Sequence, residues 1–179
     1  MSLPSFIRDI VRTDGLLGKL TPTDPLDWEL SRHIRDTDDA TLAAAPITDA
    51  AMLTLVRGAL LYAVDDLDGA HRIFQDDPSA LGSYWHGMLH RREGDFDNAR
   101  YWFRRAGRLG VFGALHEATS TLSADIARQP TWDPYLFTGL CEQAKFGAHE
   151  MMTTCLAVQR AEFETMLAYC WRKAVGTEG

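Results

Sequence analysis

Hydrophobic residues recur at helical spacing along most of the chain, and no segment alternates apolar and polar residues as a half-buried strand would. The clearest run extends from Met152 to Ala174, where apolar side chains return every three or four positions and predict one long amphipathic helix. Residues 50–64 are apolar on nearly every side, which predicts a buried helix. The pattern therefore predicts an all-α fold.

Residues 83–106 are predicted to form two helices that fold back on each other at Gly94-Asp95. Glycine ends a helix readily because it adopts the left-handed conformation without a steric penalty from a Cβ atom. The Asp95 carboxylate can then accept the free N–H groups that begin the next helix. The segment therefore reads as a helical hairpin.

This hairpin aligns with the preceding segment when the sequence is shifted by 29 residues, the distance from Gly58 to Gly87. Six positions are identical at this offset: Gly58 and Gly87, Leu60 and Leu89, Asp66 and Asp95, Asp68 and Asp97, Ala70 and Ala99, Phe74 and Phe103. A fixed offset of this kind is typical of a repeated supersecondary unit, and such a unit buries its apolar face only by stacking on a neighbour.

The matching residues resemble the tetratricopeptide repeat over about residues 52–107. The signature of that family has Gly, then Ala, then an aromatic residue at the spacing of Gly87, Ala99 and Phe103. The chain departs from the signature where His86 and His90 replace its Leu and Tyr, and the period is shorter than the family's ~34 residues. The resemblance implies stacked hairpins whose concave face receives an extended peptide or its terminal carboxylate.

The rest of the sequence is predicted to flank these hairpins within one domain. Residues 4–46 would form an N-terminal cap of short helices, residues 48–107 the two hairpin repeats, and residues 111–175 the C-terminal helices. Helix starts are predicted at Asp24-Pro25 and Asp133-Pro134, because an acceptor side chain followed by proline suits the first turn.

Composition limits the cellular locations and the classes of partner that we expect for the protein. The net charge of −7 disfavours general affinity for nucleic acid. There is no signal-peptide pattern and no apolar run long enough to span a membrane, so we expect a soluble protein. The three cysteines include no C-x-x-C pair, which favours reduced core residues in the cytoplasm.

His86 and His90 are the most specific candidates for a ligand-binding or catalytic site. A spacing of four places both imidazoles on one helix face, as a metal site requires, and Glu93 and His116 are possible further ligands. The alternative, which we favour, is that both rings form ordinary hydrogen bonds inside the hairpin. No motif calls for a cofactor, and we expect none.

Six arginines lie within residues 91–108 of an otherwise acidic chain. They could bind carboxylate or phosphate groups, since guanidinium forks suit both. The alternative, which we favour, is that they pair with the aspartates of the preceding hairpin, which are Asp65, Asp66, Asp68, Asp76 and Asp77. The tetratricopeptide resemblance implies that Tyr84, Met88, Arg91 and Arg92 face the concave side, although Tyr84 and Met88 could equally be core residues.

The chain contains neither a nucleophile elbow nor a phosphate loop, which favours a non-catalytic protein. We therefore predict a module that binds a protein or an acidic peptide. Its predicted binding residues are Tyr84, His86, His90, Arg91 and Arg92. The alternative is an enzyme or a ligand- or metal-binding protein that uses His86, His90 and Glu93. The long closing helix is also a candidate homodimer interface.

Overall fold

The computed structural model describes residues 3–147 and 149–177, and within them all regular structure is helical. The α-helices are α1 (Ser5–Val11), α2 (Trp28–Asp36), α3 (Asp39–Ala43), α4 (Ala50–Ala63), α5 (Leu67–Asp76), α6 (Ala80–Glu93), α7 (Phe96–Ala106), α8 (Phe112–Ser120), α9 (Ala124–Ala127), α10 (Pro134–Phe146) and α11 (Met152–Ala174), with a 3₁₀ turn at His149–Met151. The predicted all-α fold class is confirmed.

Aspartate side chains begin most of these helices by accepting backbone N–H groups of the first turn. Asp49 caps α4, Asp66 caps α5 and Asp95 caps α7. The predicted start at Asp133-Pro134 is confirmed for α10. The predicted start at Asp24-Pro25 is wrong, because α2 begins three residues later, where Asp27 accepts from the backbone of Glu29 and Leu30. Asp27 is the cap because a capping residue must directly precede the first helical turn, and Asp27 stands immediately before Trp28.

The two segments related by the 29-residue offset have matching turns. The turn between α4 and α5 has Asp65 at φ 64°, and the turn between α6 and α7 has Gly94 at φ 79°. In the first turn the backbone N–H of Asp66 donates to the Leu61 carbonyl over 3.0 Å, and in the second that of Asp95 donates to the His90 carbonyl over 2.9 Å. Both are Schellman-type helix ends, so α4–α5 and α6–α7 reverse direction in the same way.

A close glycine contact joins the two helices of each pair. A Cβ atom built on Gly58 would lie 2.6 Å from the Phe74 ring, and one built on Gly87 would lie 2.7 Å from the Phe103 ring. Both phenylalanines are fully buried or nearly so. Only glycine allows the rings to approach this closely, so the two phenylalanines occupy corresponding environments.

Helix α11 crosses this assembly and packs against α4, α8 and α10. Its buried stripe includes Phe163, Met166 and Leu167, and Phe163 contacts the rings of Tyr62 and Trp85. The apolar stripe that suggested a homodimer is thus covered by the chain itself, and dimerisation stays a prediction that light scattering would test.

None of the helices in residues 3–147 and 149–177 is both long enough and apolar enough to cross a membrane.

Candidate functional site

The face that the tetratricopeptide resemblance assigns to a peptide is filled by α11. Tyr84 and Arg91 are buried, and both contact the buried Glu162 of α11. The Tyr84 hydroxyl donates to Glu162 over 2.8 Å and accepts from the Trp132 indole over 2.6 Å. The Arg91 guanidinium pairs with the same carboxylate and lies 4.4 Å from the centre of the Phe137 ring. Each of these side chains therefore has a partner inside the protein, although the buried Nε of Arg91 has none among the residues that the structure describes.

Arg92 is buried in a second internal network. Its guanidinium pairs with Asp65, donates to the Tyr62 carbonyl over 2.6 Å and lies 4.8 Å from the Tyr62 ring centre. A third hydrogen bond, of 3.2 Å, goes to the Lys19 carbonyl. Arg92 therefore joins α6 to the preceding hairpin and to the N-terminal segment. A peptide could reach Tyr84, Arg91 or Arg92 only if α11 or the N-terminal segment moved away.

His86 and His90 lie on the other side of α6, where they meet His71 of α5. One ring nitrogen from each of the three histidines can be chosen so that all three lie within 4.8 Å of one another. His86 and His90 are buried and His71 is partly buried. The histidine cluster, which is His71, His86 and His90, is therefore shared between the two helical pairs.

His86 is held entirely by ring contacts. Its imidazole stacks on the Trp102 indole with centroids 3.9 Å apart and on His90 with centroids 4.6 Å apart, while His71 approaches edge-on at 4.7 Å. The side chain is 1% exposed, and neither ring nitrogen has a hydrogen-bond partner among the residues that the structure describes. A buried imidazole without partners costs stability, so its presence calls for a reason.

The prediction of ordinary hydrogen bonds inside the hairpin is confirmed for His90 and wrong for His86, whose ring nitrogens are enclosed by other rings. Its Nδ1 lies 2.7 Å from Glu93 Oε2, and the Asn98 side-chain nitrogen lies 3.2 Å from Nε2. The contact with Glu93 indicates that Nδ1 carries the proton, which leaves Nε2 as the acceptor or ligand atom. Glu93 thus orients His90 and lies outside the group of nitrogens that could share a ligand.

Burial is the main cause that lowers the pKa of His86 to about 3, and the positive charges available to His90, His71 and Arg105 contribute to this shift in that order of importance. Arg105 lies on α7 with its guanidinium 5.2 Å from the centre of the Trp102 ring. His86 is consequently a neutral imidazole at physiological pH, which is the form that binds metal ions.

Sequence reasoning missed His71 and suggested His116 instead. His116 lies on α8, where its Nε2 is 3.3 Å from the Ile126 carbonyl, apart from the cluster. His71 lies on a different helix from His86 and His90, so the spacing rule for one helix could not find it. The available signal was the packing of α5 against α6, which stacking of the predicted repeats would imply.

The arginines of residues 91–108 divide into paired and unpaired groups. Arg92 pairs with Asp65 as predicted, whereas Arg100 pairs with Asp97 and Glu142. Three exposed arginines have no ion-pair partner within the described part of the chain: Arg104, Arg105 and Arg108. We call these three the basic surface of α7. It leads to a cavity of about 440 Å³ whose lining includes Arg108, Phe112, Trp132 and Tyr135.

Comparison with models of protein families, with curated proteins and with solved structures found no match to this chain.

Proposed function

We propose that the protein binds a divalent transition-metal ion, with Zn²⁺ as the first choice, through His71, His86 and His90. The observation that carries the proposal is His86, a buried imidazole that no other residue in the described chain satisfies and that has two further imidazoles beside it. Imidazole nitrogen is a preferred ligand of zinc, copper and nickel. A bound ion would supply the partner that His86 lacks.

The distances require a small rearrangement on binding. In a tetrahedral site with metal–nitrogen bonds of about 2.0–2.1 Å, ligand nitrogens lie about 3.4 Å apart. The nitrogens of the cluster lie within 4.8 Å, so the rings must move together by about an ångström or turn about their side-chain bonds. His71 is the partly exposed member and can move most easily.

Glu93 has a defined part in this proposal. A histidine that binds a metal commonly donates its other N–H to a carboxylate, which fixes the tautomer and orients the ring. The 2.7 Å contact between His90 Nδ1 and Glu93 has this arrangement. Three protein ligands leave a fourth position for water or a small ligand, as in catalytic zinc sites.

Titration calorimetry with Zn²⁺ and the visible spectrum of the Co²⁺-loaded protein test the site. We expect one ion per chain and a tetrahedral Co²⁺ spectrum. His71→Ala and His90→Ala should each weaken Zn²⁺ binding at least about tenfold, or about 1.4 kcal/mol. Zn²⁺ at a hundred times its Kd should stabilise the fold by about 2.7 kcal/mol.

His33 supplies the matched control, because it is an exposed histidine on α2, outside the cluster. His33→Ala should leave Zn²⁺ affinity unchanged. Equal affinity for wild type and His71→Ala, or no ion bound at pH 7.5, would show that the cluster is not a metal site.

A second candidate function is binding of a protein or peptide by a tetratricopeptide-like pair of hairpins. The matching turns and glycine contacts of α4–α5 and α6–α7 support such an arrangement. The observation that favours binding is that the basic surface of α7 has no ion-pair partners in the described chain and lies beside an apolar cavity. The predicted binding residues Tyr84, Arg91 and Arg92 do not support it, because they are buried. Hydrogen–deuterium exchange with a captured partner should show slower exchange at residues 101–108, and unchanged exchange there would contradict this function.

A further inference from the structure

The basic surface of α7 is unusual because the chain carries a net charge of −7. Arg104 and Arg105 lie in the last turn of α7, and Arg108 follows the helix end. Like charges that are grouped without ion-pair partners repel one another, which costs free energy in the isolated protein. Tyr101 belongs to the same exposed side and is 51% exposed.

The cavity next to this surface is suited to one bulky apolar side chain. Its volume of about 440 Å³ falls within the range of about 300–1,000 Å³ that ligand pockets usually have. Phe103, Phe112, Trp132 and Tyr135 form much of the wall. Tyr135 is 40% exposed and stands at the edge, whereas Trp132 is 1% exposed and forms the interior wall.

Arg108 links the two features because it belongs to the basic surface and also lines the cavity. Asp133 lines the cavity too, but its Oδ1 accepts the backbone N–H groups of Tyr135 and Leu136 over 2.8 and 3.2 Å. The charge of Asp133 is therefore directed to the first turn of α10, where the helix dipole favours it. Arg108 remains the charged group of the lining without a partner in the described chain.

We propose that α7 and this cavity form a docking site for an acidic peptide segment that carries one large apolar side chain. The apolar side chain enters the cavity, and the carboxylates on either side of it contact Arg104, Arg105 and Arg108. Charge complementarity selects this partner over a neutral one, and burial of the apolar group anchors it. The inference rests on the protein-binding function proposed above and specifies its partner.

Fluorescence anisotropy with three synthetic peptides tests the inference. The first contains Glu and Asp with one central Phe, the second replaces the Phe by Ser, and the third keeps the Phe but replaces the acids by Gln and Asn. We expect only the first to bind at micromolar concentration, and its Kd should rise with added salt, because exposed charges are screened. Replacing Phe by Ser should weaken binding at least about tenfold.

Charge reversal locates the site. Arg104→Glu with Arg108→Glu should weaken the first peptide at least about tenfold. Arg8→Glu with Arg32→Glu is the matched control, because both arginines are exposed on other helices and the net charge changes equally. This control should bind nearly as wild type does.

Several outcomes would overturn the inference. Equal binding of the acidic and neutral Phe peptides would leave a protein-binding function in place but remove the acidic partner. Equal loss in both double variants would show that only net charge matters. A single-stranded oligonucleotide that binds as tightly as the acidic peptide would indicate a general anion surface. No binding of the first peptide at millimolar concentration would refute the docking site itself.

Discussion

Replacement of His86 by phenylalanine offers the most direct test of how the histidine cluster is built. His86 is 1% exposed and both of its ring nitrogens lack partners in the described chain. A phenyl ring has no polar atoms to leave unsatisfied, and it can keep the stacking contact with Trp102 that now has a centroid distance of 3.9 Å. We therefore expect His86→Phe to stabilise the metal-free protein.

The size of the effect at pH 7 follows from the cost of an unpaired buried polar group, which is about 1–3 kcal/mol. The imidazole has one donor and one acceptor in this situation, and stacking on two rings does not replace either hydrogen bond. The free energy of unfolding should therefore rise by about 1–3 kcal/mol in His86→Phe, provided that the slightly larger ring fits.

The gain should grow as the pH falls. The pKa of His86 is lowered from 6.5 in the unfolded chain to about 3 in the fold, so between these values only the unfolded state binds the proton. One extra proton in the unfolded state lowers stability by about 1.4 kcal/mol per pH unit as the pH falls. Between pH 7 and pH 5 the wild type should lose about 2 kcal/mol through this residue, and the variant should not.

The neighbours of His86 act in the same direction. His71 of α5, His90 of α6 and Arg105 of α7 all carry or can gain positive charge, and each disfavours a proton on His86. The nearby carboxylate of Glu93 is already in contact with His90 Nδ1. These groups therefore increase the loss of stability at acidic pH and do not offset it.

Urea denaturation followed by circular dichroism, with a chelator present, measures the effect at pH 7 and pH 5. His86→Leu serves as a second variant in case the phenyl ring is too large. His33→Phe is the control, since an exposed imidazole meets similar solvent in both states. If both His86 variants are less stable than wild type at pH 7 and their stability difference does not change by pH 5, the account of the cluster is wrong.

Further substitutions test three internal contacts. Arg92→Leu should cost about 3–5 kcal/mol in urea denaturation because it leaves the buried Asp65 charge unpaired. Adding Asp65→Gly should recover much of that loss, since glycine suits φ 64° and removes the charge; an additive loss would contradict this pairing. Gly87→Ala should lower the free energy of unfolding by about 1–3 kcal/mol, because the new Cβ would lie 2.7 Å from the Phe103 ring. Gly139→Ala, in open space on α10, should instead stabilise by up to about 1 kcal/mol. Tyr84→Phe should cost about 1–3 kcal/mol in thermal unfolding by leaving a buried indole N–H unpaired, and an unchanged melting curve would contradict that hydrogen bond's role.

Local signals in the sequence predicted the helices well because each signal acts within one turn. Asp95 after Gly94 marked a helix end and start, and the structure has both. Contacts in the interior were harder to predict from the sequence. Arg91, for example, pairs with the carboxylate of Glu162, which lies 71 residues further along the chain. Neither residue has a neighbour in sequence that signals this pairing. A buried arginine and an exposed one look alike until the crossing helix is placed.

For a similar reason, the sequence predicted only part of the histidine cluster. The i to i+4 spacing of His86 and His90 is a property of one helix, so it could be seen directly. His71 is brought in by the packing of α5 against α6, which depends on the whole hairpin pair. Burial of His86 beneath Trp102 likewise depends on how α7 folds back over α6.

The two segments related by the 29-residue offset differ in chemistry at the position of His86. Position 57 in the first corresponds to position 86 in the second at the 29-residue offset. Arg57 there donates to the Ile34 carbonyl over 2.6 Å and to Asp39 over 2.7 Å, so it is fully engaged in holding the N-terminal helices. His86 occupies the same place on the second hairpin and has no such partner in the described chain. Since the same backbone position accepts a satisfied side chain, the unsatisfied imidazole is not imposed by the fold, and a ligand that only this hairpin binds is the simplest physical reason for it.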